Sequence, residues 1–276
     1  MAKVIETKAP ETAAEEEFKA ELEQEQEKEE VKQEPKATKD KTFIECKQNT
    51  LMNAVTMMDG LLSDVVITID EETGLTASAM DQANVAMIVL DLKPSEFTAI
   101  KGKAKVGIKV STLKGMLKRA KADDNIRMTF SNPIELVFAS KFNKTFTLPQ
   151  IDIEDDEDKE LPTLQHEAEF EMDTALLVET LEDCGQVAEA LTLEVKDGRF
   201  NVFAKGDTSG YSGEVTEVKG NDCNSKFAKE YMVKMVKGIA ERVTVKLGKD
   251  YPLVLEYGLG KESKITLLLA PRVEQE

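Results

Sequence analysis

One histidine, three cysteines and an acidic run are the side chains here that could support covalent or metal chemistry, and their spacing argues against both. His166 is the only imidazole, so any Ser-His-Asp or Cys-His relay would have to pass through it. No G-x-S-x-G turn accompanies it. Cys46, Cys184 and Cys223 are scattered, without a C-x-x-C pair, which fits a reducing compartment. Zinc needs about four clustered Cys or His ligands, and none cluster. Asp152, Glu154, Asp155, Asp156 and Asp158 could attract Mg²⁺ or Ca²⁺, but the glycine and terminal glutamate of an EF-hand loop are missing. No G-x-x-x-x-G-K-S/T cradle awaits a nucleotide. The expectation is a non-enzymatic protein with no catalytic residue, no metal and no cofactor.

The chemistry that remains is non-covalent. Lys114, Lys118 and Lys121 fall at i, i+4 and i+7, flanked by Arg119, away from an apolar stripe of Leu113, Met116, Leu117 and Ala120. Lys234 and Lys237 lie opposite Met232, Met235, Val236 and Ile239. Such faces suit phosphate, which is contacted without reading base sequence; the same spacing also suits an ordinary solvated helix. The chain carries a formal net charge of −17, so contact with nucleic acid requires the positive side chains to be segregated on one surface.

The elements that must position these residues occur twice. Leu113–Ala120 leads through Asn125–Phe130 to Asn132–Phe138, and Met232–Ile239 leads through Val243–Leu247 to Tyr251–Tyr257. Met116 maps to Met235 and Pro133 to Pro252, 119 residues on in each case. A fixed internal period marks repeated architecture. Residues 1–41 hold almost no branched or aromatic side chains and read as a disordered acidic and lysine-rich tail. A first domain spans 42–148, an acidic connector bracketed by Pro149 and Pro162 spans 149–163, and a second domain spans 164–276. Helices are expected at 50–62 (capped by Asn49 or Thr50), 112–122 (capped by Ser111), 174–184 (capped by Asp173) and 229–240, among many antiparallel strands. The class is α+β, two similar domains each with two helices packed on antiparallel sheets. No apolar run approaches ~20 residues and no secretory h-region opens the chain, so a cytoplasmic protein without membrane contact is expected.

Three stretches resemble the sliding clamps of the proliferating-cell-nuclear-antigen family, nearest its archaeal branch: Ser78-Ala79-Met80-Asp81-Gln82-Ala83-Asn84-Val85-Ala86-Met87, Asp250–Tyr257, and Leu268-Leu269-Ala270-Pro271-Arg272-Val273-Glu274. The resemblance runs from about residue 42 to the end. It implies the DNA clamp fold, with three subunits closing head to tail into a ring around double-stranded DNA. Implied partners are duplex DNA without sequence preference, DNA polymerase and other proteins carrying a clamp-binding motif, an ATP-dependent clamp loader, and the chain itself as a trimer. A nucleoid-associated location in an archaeal or viral-type host follows.

The resemblance also assigns sites. Lys114, Lys118, Arg119, Lys121, Lys234 and Lys237 would face DNA. Met80, Val85, Met87, Leu161, Pro162, Ala228, Pro252, Leu268, Ala270 and Pro271 would line a pocket for client peptides. Lys144, Thr145 and Phe146 of one subunit would meet Tyr211, Ser212, Gly213 and Glu214 of the next, edge to edge, with Gly206, Gly210 and Gly213 permitting bulges or tight turns. Two helices depart from the family pattern. The helix 50–62 presents Asn53, Thr56 and Met57, and the helix 174–184 presents Glu179, Glu182 and Asp183. These departures leave an alternative open: a clamp-like heterotrimer subunit or scaffold that binds client peptides and holds DNA weakly.

Overall fold

The computed structural model describes residues 41–139, 143–153, 164–236 and 240–272. The tail and most of the acidic connector, including Leu161 and Pro162, lie outside the described residues, as does Lys237. From its start the described chain runs β1 (Phe43–Lys47), α1 (Gln48–Leu61), β2 (Asp64–Asp70), β3 (Gly74–Met80), β4 (Ala86–Leu92), a 3-10 turn at Pro94–Glu96, β5 (Ala99–Lys101), β6 (Lys103–Lys109), α2 (Val110–Leu117), β7 (Asn125–Thr129), β8 (Ile134–Ala139) and β9 (Lys144–Leu148). The order then restarts with β10 (Ala168–Asp173), α3 (Thr174–Gly185), β11 (Ala190–Lys196), β12 (Arg199–Lys205), β13 (Gly210–Glu217), β14 (Cys223–Ala228), α4 (Lys229–Met235), β15 (Arg242–Leu247), β16 (Leu253–Gly258) and β17 (Lys264–Leu269).

The duplication is metric. Strands β2 and β11 lie 126 residues apart (64 to 190), whereas β8 and β16 lie 119 apart (134 to 253). Most of that difference lies between β4 and β6, where the first copy inserts the 3-10 turn and β5. Even the helix starts repeat. Gln48 N donates to Asp124 O and Thr174 N to Glu241 O, while Val110 N donates to Ser63 O and Lys229 N to Glu189 O. The first amide of every helix, orphaned by helix geometry, is thus satisfied by the loop that ends a neighbouring element. This is why α1 starts at Gln48 and α2 at Val110 without the side-chain caps expected from Asn49, Thr50 or Ser111. Only Asp173 caps as expected, accepting from Ala175 N at 2.7 Å and Leu176 N at 3.3 Å, a contact worth ~1 kcal/mol.

Both helices that follow the long strands end earlier than their apolar spacing suggests. Helix α2 stops at Leu117, where the chain tightens into i→i+3 bonds (Arg119 N to Met116 O, Ala120 N to Leu117 O) and the Asp124 carboxylate accepts Lys121 N at 2.9 Å. Helix α4 stops at Met235, because Val236 is already extended. Tyr257, fully buried on β16, donates its hydroxyl to the Met235 carbonyl exposed by that ending.

Three antiparallel sheets result: β5-β1-β7-β8-β9 from the first copy, β13-β12-β11-β14 from the second, and the eight-stranded β10-β15-β16-β17-β4-β3-β2-β6 built from both. The copies join at β4 and β17, in register from Ala86↔Leu269 to Asp91↔Lys264. Strands such as β8 and β12 alternate, placing one row of apolar residues inward. The helices cover those inner faces. Met57, expected on the outer side of its helix, is instead buried at 1% exposure. Helix α1 touches α2 on one flank and α4 on the other, which widens its apolar stripe.

All three cysteines are buried and unpaired. Burial pushes Cys46 up to about 12 and Cys184 and Cys223 up to about 11. Thiolates are the reactive form, so the native protein should resist iodoacetamide at pH 8 and take up three equivalents only after unfolding in guanidinium. Stoichiometric labelling of the folded protein would contradict this burial.

Candidate functional site

Of the edge strands that bound the three sheets, the duplication singles out two. By position in the repeat, β17 corresponds to β9 and β4 to β13. The first pair of strand types is joined inside the chain, at β4–β17. The second pair stands apart: β9 is the edge of the five-stranded sheet and β13 the edge of the four-stranded one. Lys144, Thr145 and Phe146 lie on β9, where Lys144 Nζ donates to Arg119 O at 3.2 Å and Phe146 packs on Phe138 with ring centroids 5.2 Å apart. Tyr211, Ser212, Gly213 and Glu214 lie on β13. A Cβ at Gly213 would stand 2.9 Å from the Tyr211 ring, so glycine lets that ring lie along its own strand. Glu214 is tied within the chain to Arg199 at 2.6 Å. Strand β13 carries a bulge opposite the step from Phe200 to Asn201, between Glu214 and Thr216, and Gly206 makes a tight turn, its N donating to Ser209 O at 2.9 Å.

Each open edge has a helix beside it, α2 next to β9 and α3 next to β13. Beyond α2, Lys118, Arg119 and Lys121 are exposed; on α3, Glu179, Glu182 and Asp183 are exposed. Burial first, then the nearby Cys184, Asp183 and Glu179, raises Tyr211 above the usual phenol range. The helix beside β9 thus leads into exposed basic residues, and the helix beside β13 carries exposed acidic ones. Lys114 departs from the expected cationic stripe: it is largely buried and its Nζ sits 2.7 Å from Asp59 of α1. Lys234 is exposed on α4, its Nζ 5.4 Å from the centre of the Tyr231 ring.

On the outer face of the eight-stranded sheet an apolar row crosses the join. Met80 pairs with Met87, Met87 with Leu268 and Leu268 with Val254. The row continues into charge, with Val254 beside Lys246 and Lys246 beside Glu169; Lys246 Nζ lies 3.5 Å from both Glu169 and Glu256. Met87, Val254 and Leu268 form a cluster separate from the main core, with Met80, Val89 and Leu164 packed against it. Leu164, Val89 and Val254 were not among the residues expected from the sequence, although the unbroken apolar run Leu267–Ala270 signals a strand buried on both faces.

Among the remaining described residues expected in the pocket, Val85 and Ala270 adjoin this row. Val85 O accepts Ala270 N at 2.9 Å, and Arg272 N, next to Pro271, donates to Lys226 O at 2.7 Å. The Pro252 carbonyl accepts from His166 Nε2 at 3.0 Å, a structural use for the lone histidine. Ala228 closes β14 opposite Ala190. The connector starts close by on the sheet: Ile151 N donates to Gly107 O at 3.0 Å. A side chain at Gly107 would collide with the Ile151 carbonyl.

A buried carboxylate shapes the loop behind the row. Asp81 accepts from Ala83 N (3.2 Å), Val85 N and Ala86 N (2.8 Å each) and from the Tyr231 hydroxyl (2.8 Å) on α4. Burial alone would raise Asp81, but these four donors together outweigh it and hold the group below the usual carboxylate range. The hydrogen bond to Asp81, with burial second, pushes Tyr231 up to about 12. Among the described residues no group of side chains could hold a metal ion, and no helix is long and apolar enough to cross a membrane.

Comparison with known proteins gives one consistent answer. The profile described as "Proliferating cell nuclear antigen, N-terminal domain" matches residues 44–159. The DNA polymerase sliding clamp of Pyrococcus horikoshii is 32% identical over 229 residues, covering 78% of this chain and 91% of that protein. Among solved structures, the proliferating cellular nuclear antigen of Entamoeba histolytica superposes with a TM-score of 0.79 at 18% identity, over 84% of this chain and 99% of its own. A. fulgidus PCNA with the C-terminal region of FEN-1 bound gives a TM-score of 0.74 at 21% identity, over 85% of this chain and all of that one (100%).

Proposed function

The chain belongs to the proliferating-cell-nuclear-antigen family of DNA polymerase sliding clamps, and from that premise we propose how it works as one: three copies close head to tail around duplex DNA and tether polymerase and other replication or repair enzymes to it. Residues 42–148 and 164–276 are the two clamp domains and 149–163 connects them. The observation that carries this reading is the pair of open edges. Strands β9 and β13 are repeat equivalents of β17 and β4, which already pair inside the chain. A second copy can therefore continue the same join, and a heterologous join that repeats with rotation closes a ring.

Retention on DNA is then topological. It requires no catalytic residue, metal or cofactor, and an ATP-driven loader opens the ring. Lys118, Arg119, Lys121, Lys234 and Lys237 supply sequence-independent phosphate contacts, with Lys114 withdrawn into its pair with Asp59. The apolar row through Met80, Met87, Leu268 and Val254 receives the aromatic and aliphatic anchors of client peptides, and the loop 81–85 and the segment 270–272 form its walls. The protein works in the cytoplasm, on nucleoid DNA. A heteromeric ring drawing positive charge from sister subunits is the less favoured reading, because the acidic α3 finds its complement at the other end of the same chain.

Light scattering at micromolar concentration should report a trimer, and the protein should lengthen polymerase products on primed circular DNA. A monomer without effect on product length would overturn the proposal.

A further inference from the structure

The contact between Asp81 and Tyr231 sits where the two copies of the fold meet, and the second copy lacks it. Counting 125 residues on from Asp81, by the spacing of β3 and β12 (74 to 199), gives Gly206. That corner turns without a carboxylate: Gly206 N donates to Ser209 O at 2.9 Å, and a side chain there would run into the Val187 carbonyl. The helix position equivalent to Tyr231, 119 residues earlier, is Thr112. The fold therefore builds this corner without the clasp, so the clasp answers to something only the first copy does.

What the first copy does at this corner is form a wall of the apolar row. Asp81 gathers the amides of Ala83, Val85 and Ala86, and Asn84 between them is held in the left-handed region at φ 54°. Val85 O in turn takes Ala270 N, Ala86 pairs with Leu269, and Met87 pairs with Leu268. The fourth donor to Asp81 comes from 150 residues away, on a helix of the other copy. That helix also carries Lys234, whose Nζ lies over the same tyrosine ring. The opposite side of the clasp opens on a cleft of about 640 Å³ bounded by Gly60, Ser63, Asp64, Ser111 and Lys234, so no packed core restrains the loop from there.

We propose that Tyr231 is a positioning residue for client docking: through Asp81 its hydroxyl holds the loop 81–86 in the shape that lets Val85, Met87 and Ala270 receive a peptide. The inference rests on the client-binding reading above and names a residue that does not touch the peptide. Tyr231→Phe removes one donor and little else. A hydrogen bond to a charged acceptor is worth roughly 1.5–3 kcal/mol, so if the loop reshapes without it, affinity should fall on the order of tenfold or more.

The test uses the full-length protein and a fluorescent peptide of the C-terminal region of A. fulgidus FEN-1. The expected result for Y231F is peptide binding weakened about tenfold, native mass unchanged, and faster amide exchange at Ala83, Val85 and Ala86 but not along β17. Asp81→Asn should weaken peptide binding and speed the same amides, again with native mass unchanged. Binding by Y231F within twofold of the unaltered protein overturns the inference alone, and so does weaker binding with unchanged exchange at those amides. No binding by the unaltered protein overturns the client-binding reading, and this inference with it.

Discussion

Reversing three charges on one helix should take the ring apart. In Glu179→Lys/Glu182→Lys/Asp183→Lys the trimer is expected to dissociate at micromolar concentration in 0.1 M salt, with each chain still folded. The reason is geometric. Inside the chain, α1 and α4 cross where Gly60 meets the backbone of Lys234, close enough that a Cβ on Gly60 would stand 3.0 Å from the Lys234 carbonyl oxygen. The cleft beyond is lined by Tyr231 together with Ser63 and Asp64. Carried to the open edges by the repeat offsets of 126 and 119, that crossing would set Gln186 of one copy against Gly115 of the next in the proposed ring. The turns before Gln186 hold Glu179, Glu182 and Asp183; the residues after Gly115 include Lys118, Arg119 and Lys121.

Among the described residues, none of these six side chains is ion-paired within the chain, so all are free to meet across the join. Each reversal replaces an attraction by a repulsion in a partly desolvated contact, worth roughly 1–2 kcal/mol. Three reversals give roughly 3–6 kcal/mol, or two to four decades in the association constant. Adding Lys118→Glu, Arg119→Glu and Lys121→Glu to the same chain exchanges the signs at both ends and should restore the trimer. The unaltered ring should also loosen as salt rises, because the screening length falls from about 10 Å at 0.1 M to about 3 Å at 1 M. A stable trimer of the triple variant in low salt would sink the assignment of this face.

That result also bears on how the acidic helix is understood. From composition alone, Glu179, Glu182 and Asp183 look like a defect in a DNA-facing surface, because spacing says only that they lie on an exposed side. Their meaning depends on which element stands opposite in the next copy, and no local pattern records that. The same limit explains other differences. Met57 falls outside the apolar stripe of its own helix, yet it is buried because α1 is flanked on two sides. Lys114 keeps the spacing of a surface lysine but finds Asp59 of α1 within reach. Strand β5 is only 3 residues long and interrupts the repeat, so a fixed period cannot reveal it. The clasp between Asp81 and Tyr231 joins residues 150 apart, with no mark on either side.

What could be read in the sequence was what repeats or alternates. Strands β8 and β16 are displaced by one constant, 119 residues, from first residue to last. The Asp173 cap is a local hydrogen bond between neighbours in the chain. The apolar stripes of α2 and α4 put Leu113, Leu117, Met232 and Met235 in the core, as period-3.6 spacing requires. Helix ends were less legible because they are set by backbone partners from distant loops.

Two adjacent leucines should separate client binding from folding. Leu267 and Leu268 are neighbours on β17 and point to opposite faces of the sheet. Leu267 is fully buried in the main core, whereas Leu268 belongs to the small outer cluster with Met87 and Val254. Leu267→Ala leaves a cavity in a packed interior and should cost roughly 2–5 kcal/mol of stability. At roughly 2–4 °C per kcal/mol for a unit of this size, the melting temperature should drop by about 5–15 °C, with peptide affinity retained below it. Met87→Ala with Leu268→Ala removes the floor on which client anchors would rest. Two central contact residues cost about 2 kcal/mol each when truncated, so binding of the FEN-1 peptide should weaken by about three decades, below detection for a micromolar ligand. The outer cluster shares no member with the main core, and the trimer should survive because the β9 and β13 edges are untouched. Normal peptide affinity in that double variant would remove the apolar row from consideration as the client site, and loss of binding in the Leu267 variant below its melting point would show that any damage to β17 suffices.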